Sequence, residues 1–197
     1  MIAIIDYGAG NLFSVKNALN ALGQDSMFTK DPEEIRAADK LILPGVGAFP
    51  DAMDKLTACG LIPVIREQAE QKPLLGICLG MQMLFEQSEE FGETAGLGLI
   101  PGRVVPIETS YKIPHMGWNE LVIPRESKLL YGIKPGEFVY FVHSFAAKTP
   151  MEYVSAYCEY GTVIPALVEK GNVYGAQFHP EKSGRVGLTI LKNFCSL

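Results

Sequence analysis

Little in this chain is suited to holding a metal or building a disulfide framework. The four cysteines (Cys59, Cys78, Cys158, Cys195) form no Cys-x-x-Cys pair, and the three histidines share no ligand spacing with cysteine or carboxylate. A structural metal is therefore not expected, no cofactor is implied, and reduced thiols in a cytoplasmic setting are the simplest account. No apolar run approaches the roughly 20 residues that a membrane helix needs. The opening Met1-Ile2-Ala3-Ile4-Ile5-Asp6 has no basic start, so it reads as a buried first strand and not as a signal peptide. With 17 basic against 22 acidic residues the net charge is −5, and no basic block occurs. Nucleic acid and anionic membrane are thus disfavoured as partners. Repeats and low-complexity segments are absent.

What is present fits an α/β protein. A chain of 197 residues, 48% hydrophobic and 20% charged, suits one domain over residues 1–197. Strand-like and helix-like stretches alternate, which argues a mostly parallel central sheet with helices on both faces. Ile2 to Ile5 reads as the first strand. Asn11 to Leu22 follows with Leu12, Val15, Leu19 and Leu22 at helical spacing, closed by Gly23. Asp31-Pro32 reads as an N-cap and first helical residue. The Gly- and Pro-rich middle, residues 93–135, has short β-like pieces at Arg103 to Val105 and Leu121 to Ile123, and reads as a small antiparallel extension. Strands near Phe138, Tyr153, Ile164 and Val173 precede a closing helix over about Val186 to Phe194.

Three local patterns carry chemistry. Pro73 to Ile77 reads as a buried strand and Leu79 to Phe85 as the start of a helix, with Cys78 between them in Gly76-Ile77-Cys78-Leu79-Gly80. That is the elbow of Gly-x-Ser-x-Gly hydrolases with sulfur for oxygen; the glycines permit a tight turn, and the helix start favours the thiolate. Val173 to Phe178 reads as a strand delivering His179 at its end. Residues two apart in extended chain share a side, so His179 and Glu181 point together, with Pro180 fixing the backbone between them. The roles this suggests are His179 as base toward Cys78 and Glu181 as the group orienting the imidazole. Finally, Lys40 to Leu43 runs into Pro44-Gly45-Val46-Gly47, whose amides, with that of Leu79, suit an oxyanion hole. A Gly-Val-Gly turn also reorients cheaply.

Together these motifs resemble the class I, triad-type glutamine amidotransferases, and within them the glutaminase subunits of imidazole glycerol phosphate synthases. The finer likeness lies in Ile5-Asp6-Tyr7-Gly8-Ala9-Gly10-Asn11-Leu12, Pro44-Gly45-Val46-Gly47-Ala48-Phe49, Pro114-His115-Met116-Gly117-Trp118-Asn119 and His179-Pro180-Glu181-Lys182-Ser183-Gly184. The resemblance implies hydrolysis of glutamine through a Cys78 thioester. The ammonia would pass to a partner cyclase of (β/α)8 barrel type that makes imidazole glycerol phosphate and an aminoimidazole carboxamide ribonucleotide. It further implies Gln82, Glu90, His143 and Ser144 as substrate-binding positions, and Phe145 departs from the usual tyrosine. Trp118, Asn119, Lys182 and Asn11 would face the cyclase, whose docking is expected to reorganise the Val46 turn. An isolated tryptophan also packs in cores, so Trp118 keeps both readings. Other amidotransferase subfamilies share the triad, an elbow-cysteine sensor or binding module of similar architecture needs no His179 or Glu181, and a peptidase is a distant third.

Overall fold

The computed structural model describes residues 1–197. Along the chain, β1 (Ile2–Ile5), α1 (Leu12–Ala21), β2 (Ser26–Thr29), α2 (Pro32–Ala37) and β3 (Lys40–Gly45) alternate, followed by α3 (Phe49–Ala58) and α4 (Ile62–Ala69). Then come β4 (Leu74–Cys78), the short α5 (Leu79–Gln82), and the small strands β5 (Gln87–Ser88), β6 (Thr94–Ala95) and β7 (Arg103–Pro106). Strands β8 (His115–Glu120), β9 (Phe138–His143), β10 (Phe145–Lys148), β11 (Val154–Glu159), β12 (Val163–Lys170) and β13 (Val173–Ala176) lead to the closing helix α6 (Gly184–Cys195).

The main sheet has the order β11-β12-β13-β4-β3-β1-β2. Strands β2, β1, β3, β4 and β13 run parallel, while β12 and β11 extend the sheet antiparallel at one edge. Side-chain alternation divides the core between the two faces. Ile2, Ile4, Ile42, Leu75 and Ile77 pack with Val15 and Leu19 of α1 and Ile190, Leu191 and Phe194 of α6. Ala3, Ile5, Leu41, Leu43 and Leu74 pack on the other side with Ile35 of α2, Phe49 and Met53 of α3, and Val64 and Ile65 of α4. Strands buried on both faces read as unbroken apolar runs, as in Ile2–Ile5. The sheet expected from the sequence is the sheet observed.

The helix starts follow their capping chemistry. The Asp31 side chain accepts from the Glu33 amide at 2.8 Å, with Pro32 in the first turn of α2. Ala48 offers α3 no such cap. A distant carboxylate does so instead: Glu90 accepts from the Phe49 amide at 2.7 Å.

Two sequence expectations are corrected. The elbow helix, expected to run to Phe85, stops at Gln82. The carbonyls of Met83, Leu84 and Phe85 are engaged by the amides of Leu97, Leu99 and Gly98, so tertiary pairing replaces the next helical turn. In the middle region, Leu121 to Ile123 forms only an isolated bridge from Val122 to Tyr157, because the pairing with β9 is taken by His115–Glu120. The extension itself is present but only partly antiparallel: the ribbon β8-β9 is antiparallel, whereas in the sheet β10-β7-β5-β6 the central pair β7 and β5 runs parallel.

The turn after β4 depends on close backbone approach. Cys78 sits at φ 55°, a conformation costing a non-glycine residue roughly 1–3 kcal/mol. A Cβ on Gly76 would lie 2.6 Å from the Gly80 carbonyl oxygen, and one on Gly80 would overlap the Leu43 carbonyl. Gly80→Ala should therefore lose about 2–3 kcal/mol in denaturant unfolding, whereas Gly132→Ala, strained in backbone but facing open space, should lose about 1–2 kcal/mol. Equal losses would argue against this contact.

Candidate active site

The C-terminal ends of β3, β4 and β13 lie side by side, since Gly45 pairs with Cys78 and Ala176 with Ile77. This is where open α/β sheets place their sites. One cavity of about 310 Å³ opens there, lined by Val46, Gly47, Cys78, Leu79, Gln82, Glu90, Pro114, Val142, His143, Ser144, Phe145 and His179. Thus Cys78, His179, the three oxyanion candidates and all four substrate-binding candidates meet in one place, although they come from segments far apart in sequence.

His179 leaves the end of β13 with its backbone stitched to β9. Its amide donates to the Tyr140 carbonyl at 3.0 Å, and its own carbonyl accepts from the Ser183 hydroxyl at 2.6 Å. That hydroxyl accepts in turn from the Tyr140 amide at 2.9 Å. The ring Nδ1 bonds Glu181 Oε1 at 2.8 Å, with both side chains almost wholly buried. Glu181 Oε2 is buried without a hydrogen-bond partner, so the histidine is the polar group this carboxylate serves. Burial by itself opposes a charged imidazole here. Bonding and attraction to the Cys78 sulfur and to Glu181 outweigh it, and the His179 pKa rises to about 9. The ring is therefore a strong proton acceptor toward the thiol and, once protonated, a charged partner for the sulfur.

The cavity wall is held from behind. Tyr7, early in the first β–α connection, donates to the Pro44 carbonyl at 2.9 Å, supporting the turn that carries Val46 and Gly47. Burial first, and then the neighbouring Cys78, push its phenol well above the ordinary range. Gly47 adopts φ 99° and Val46 is partly exposed. Leu79 opens α5, where an amide has no preceding helical turn to bond. Gln82 is buried, and its Nε2 donates to the Phe145 carbonyl and to Gln177 Oε1, both at 3.0 Å. Glu90 has one oxygen on the start of α3, as above, and lines the cavity.

His143 is neither a free ligand group nor an isolated core residue. Its Nδ1 faces the Phe145 carbonyl at 2.8 Å and its Nε2 lies 3.0 Å from His115 Nδ1. His115 stacks between Phe141 and Tyr160 at 4.8 and 4.1 Å between ring centroids. Burial lowers both rings to about 4, so both are neutral at physiological pH. Ser144 contributes its carbonyl to the Ile107 amide at 3.0 Å and lines the cavity. At Phe145 the backbone carbonyl does the bonding, which a tyrosine would leave unchanged.

The four positions expected to face a partner separate into two groups. Trp118 is 55% exposed, with Met116 and Phe138 also exposed nearby, so it does not pack in the core. Lys182 is exposed and Asn11 half-buried at the start of α1. The Asn119 side chain instead turns into the ribbon, donating to the Glu159 carbonyl at 3.0 Å and lying 3.3 Å from His115 Nε2.

Sequence reasoning overlooked Gln177, whose Nε2 lies 3.9 Å from the Cys78 sulfur and which is fully buried. The signal was available. Gln177 is two residues before His179 in extended chain and therefore shares its side. Ser183 and Tyr7 act through backbone bonds that no local pattern announces.

A thiol, an oriented imidazole and glycine-rich donors in one pocket define a cysteine-dependent acyl-transfer site on a doubly covered α/β sheet. The family description "Glutamine amidotransferase class-I" matches residues 3–196. The chain belongs to the class-I glutamine amidotransferase family. It is 56% identical over 195 residues to the imidazole glycerol phosphate synthase subunit HisH of Bacillus cereus, covering 98% of this chain and 93% of that protein. The subunit of the same name from Bacillus thuringiensis is 55% identical with the same coverage. Among solved structures, a glutamine amidotransferase superposes with a TM-score of 0.78 at 20% identity, covering 99% of this chain and 97% of the other. PurLQS from Thermotoga maritima gives 0.76 at 20% identity with the same coverages. These two likenesses speak for the fold.

The raised His179 gives a pH test. Its folded pKa near 9 lies above the ordinary 6.5, so the stabilisation is complete below about 6.5 and is lost as pH rises through 9. Thermal melts of the wild type and His179→Ala should differ most near pH 6 and converge toward pH 9.5. A gap that widens with pH would contradict the charged imidazole.

Proposed function

We propose that this chain is the glutaminase subunit of an imidazole glycerol phosphate synthase, hydrolysing glutamine to glutamate and handing ammonia to a partner cyclase in histidine biosynthesis. The observation that carries it is the single cavity in which Cys78, His179, Glu90 and Gln82 meet, joined to the 56% identity with the Bacillus cereus subunit. The (β/α)8 form of the partner and a cytoplasmic setting belong to the same proposal; no helix is long and apolar enough to cross a membrane.

The geometry supports a two-step acyl transfer. The thiolate attacks the glutamine side-chain carbonyl carbon, and the oxygen takes up negative charge toward the amides of Leu79 and of Val46 or Gly47. Protonated His179 gives its proton to the amide nitrogen, the C–N bond breaks, and ammonia leaves with a glutamyl thioester on Cys78. The now neutral ring takes a proton from water, which attacks the thioester, releasing glutamate and regenerating the thiolate beside a protonated His179. Glu181 holds the tautomer throughout. Glu90, a carboxylate lining the same cavity, suits the substrate's α-ammonium group. Exposed Trp118 with Met116 and Phe138 offers an apolar docking patch, and Lys182 contributes an exposed charge.

The test is reconstitution with a candidate cyclase and assays with glutamine or with ammonia as nitrogen source. Both should support product formation with the wild type. Cys78→Ala should abolish the glutamine-dependent reaction and leave the ammonia-dependent one intact; product from ammonia alone with the wild type would refute the amidase. Glu181→Gln should lower kcat by about 10²–10⁴-fold. Glu90→Gln should raise KM by about ten-fold with little change in kcat, as expected for a group that grips substrate and transition state alike.

A further inference from the structure

The polar groups behind the cavity form one chain whose direction is fixed by chemistry. The Phe145 carbonyl can only accept, so His143 Nδ1, 2.8 Å away, carries the proton. The neutral ring then has an acceptor at Nε2, and His115 Nδ1 donates to it across 3.0 Å. His115 Nε2 is left as an acceptor for the Asn119 amide at 3.3 Å, whose carboxamide also donates to the Glu159 carbonyl. On the other side of the Phe145 carbonyl, Gln82 Nε2 donates to it and to Gln177 Oε1. With its oxygen so occupied, Gln177 has its NH2 end turned to the catalytic sulfur at 3.9 Å. Neither orientation of the Gln177 carboxamide is left to chance. Flipping it would place two NH2 groups face to face and a carbonyl oxygen against a thiolate.

We infer that Gln177 is a further catalytic residue, donating a hydrogen bond to the Cys78 thiolate from outside the cavity lining, with its amide held in register by Gln82 and the Phe145 carbonyl. The assignment rests on the reading of Cys78 as the nucleophile. Gln177 is fully buried and does not line the cavity, so it reaches the sulfur without touching substrate. Its backbone amide bonds the Ala166 carbonyl at 2.9 Å, which fixes the side chain's origin on the sheet. A donor at this position stabilises the attacking anion in the resting enzyme and again when the thiolate leaves the second tetrahedral intermediate. His179 and Gln177, two apart on one strand end, thus supply the sulfur with a charge and a dipole from a single rigid element.

The test reads the sulfur directly. Iodoacetamide alkylation at pH 7 is followed by peptide mass spectrometry in the wild type, Gln177→Met and Gln177→Leu, with exposed Cys59 as internal reference. Both variants preserve the approximate volume and lose the donor. Cys78 alkylation should slow about ten-fold while Cys59 is unaffected, the scale expected for one bond to an ionised group. Glutaminase assays should show kcat reduced with KM little changed. Unchanged Cys78 alkylation in folded Gln177→Met would overturn the assignment, as would a raised KM at constant kcat. Should the variants not fold, the side-chain NH2 signals of Gln177 in the wild type decide: they must shift in Cys78→Ala, and no shift overturns the assignment. Slowed alkylation in a protein that never hydrolyses glutamine would leave this assignment standing and remove the functional one.

Discussion

The structure depends on one tight turn. Cys78 is held at φ 55° between a buried strand and a single helical turn, and the glycines around it let three backbone segments come almost into contact. A Cβ on Gly45 would lie 2.7 Å from the Gly80 amide nitrogen, so β3 and the elbow are packed main chain to main chain. The energy for holding a non-glycine residue in that conformation comes from the sheet. Leu41, Leu43, Leu74 and Met81 are fully buried around it, and apolar burial of this kind contributes about 2 kcal/mol per side chain. The sulfur is thereby presented at the edge of a rigid core and not on a mobile loop.

Around that fixed point, charge and neutrality are set by contact. His179 and His143 line the same cavity, both largely buried, yet the first is raised to about 9 and the second lowered to about 4. The difference is the partner. His179 faces a carboxylate and a sulfur, whereas His143 faces a carbonyl and another imidazole. Burial opposes charge at both, and only a close anion reverses it. One ring is thus equipped to move protons while the other behaves as a fixed dipole.

Much of this was legible in the sequence. The elbow glycines, the His179–Glu181 spacing and the unbroken apolar strands are local patterns with one physical reading, and the parallel sheet follows from their alternation. The shortened elbow helix was not legible, because its end is set by amides of Leu97 to Leu99 that arrive from a later loop. Strand β8 was hidden for a similar reason. His115-Met116-Gly117-Trp118-Asn119 has neither clear alternation nor β-branched residues, and it becomes a strand by pairing with β9. Gln177 was in plain view beside His179, but a buried glutamine announces no chemistry until its partners are known.

Glu90 also fastens the first amide of α3, a helix anchored in the core by Phe49, Ala52, Met53 and Leu56. Cys78 is anchored as firmly on β4. The gap between the two is therefore a gauge that neither side chain can lengthen or shorten by swinging. On the proposed reading, a ligand held by its ammonium group at Glu90 and attacked by Cys78 must have the right number of methylenes between the two. An amide one carbon shorter would have to choose which end to satisfy.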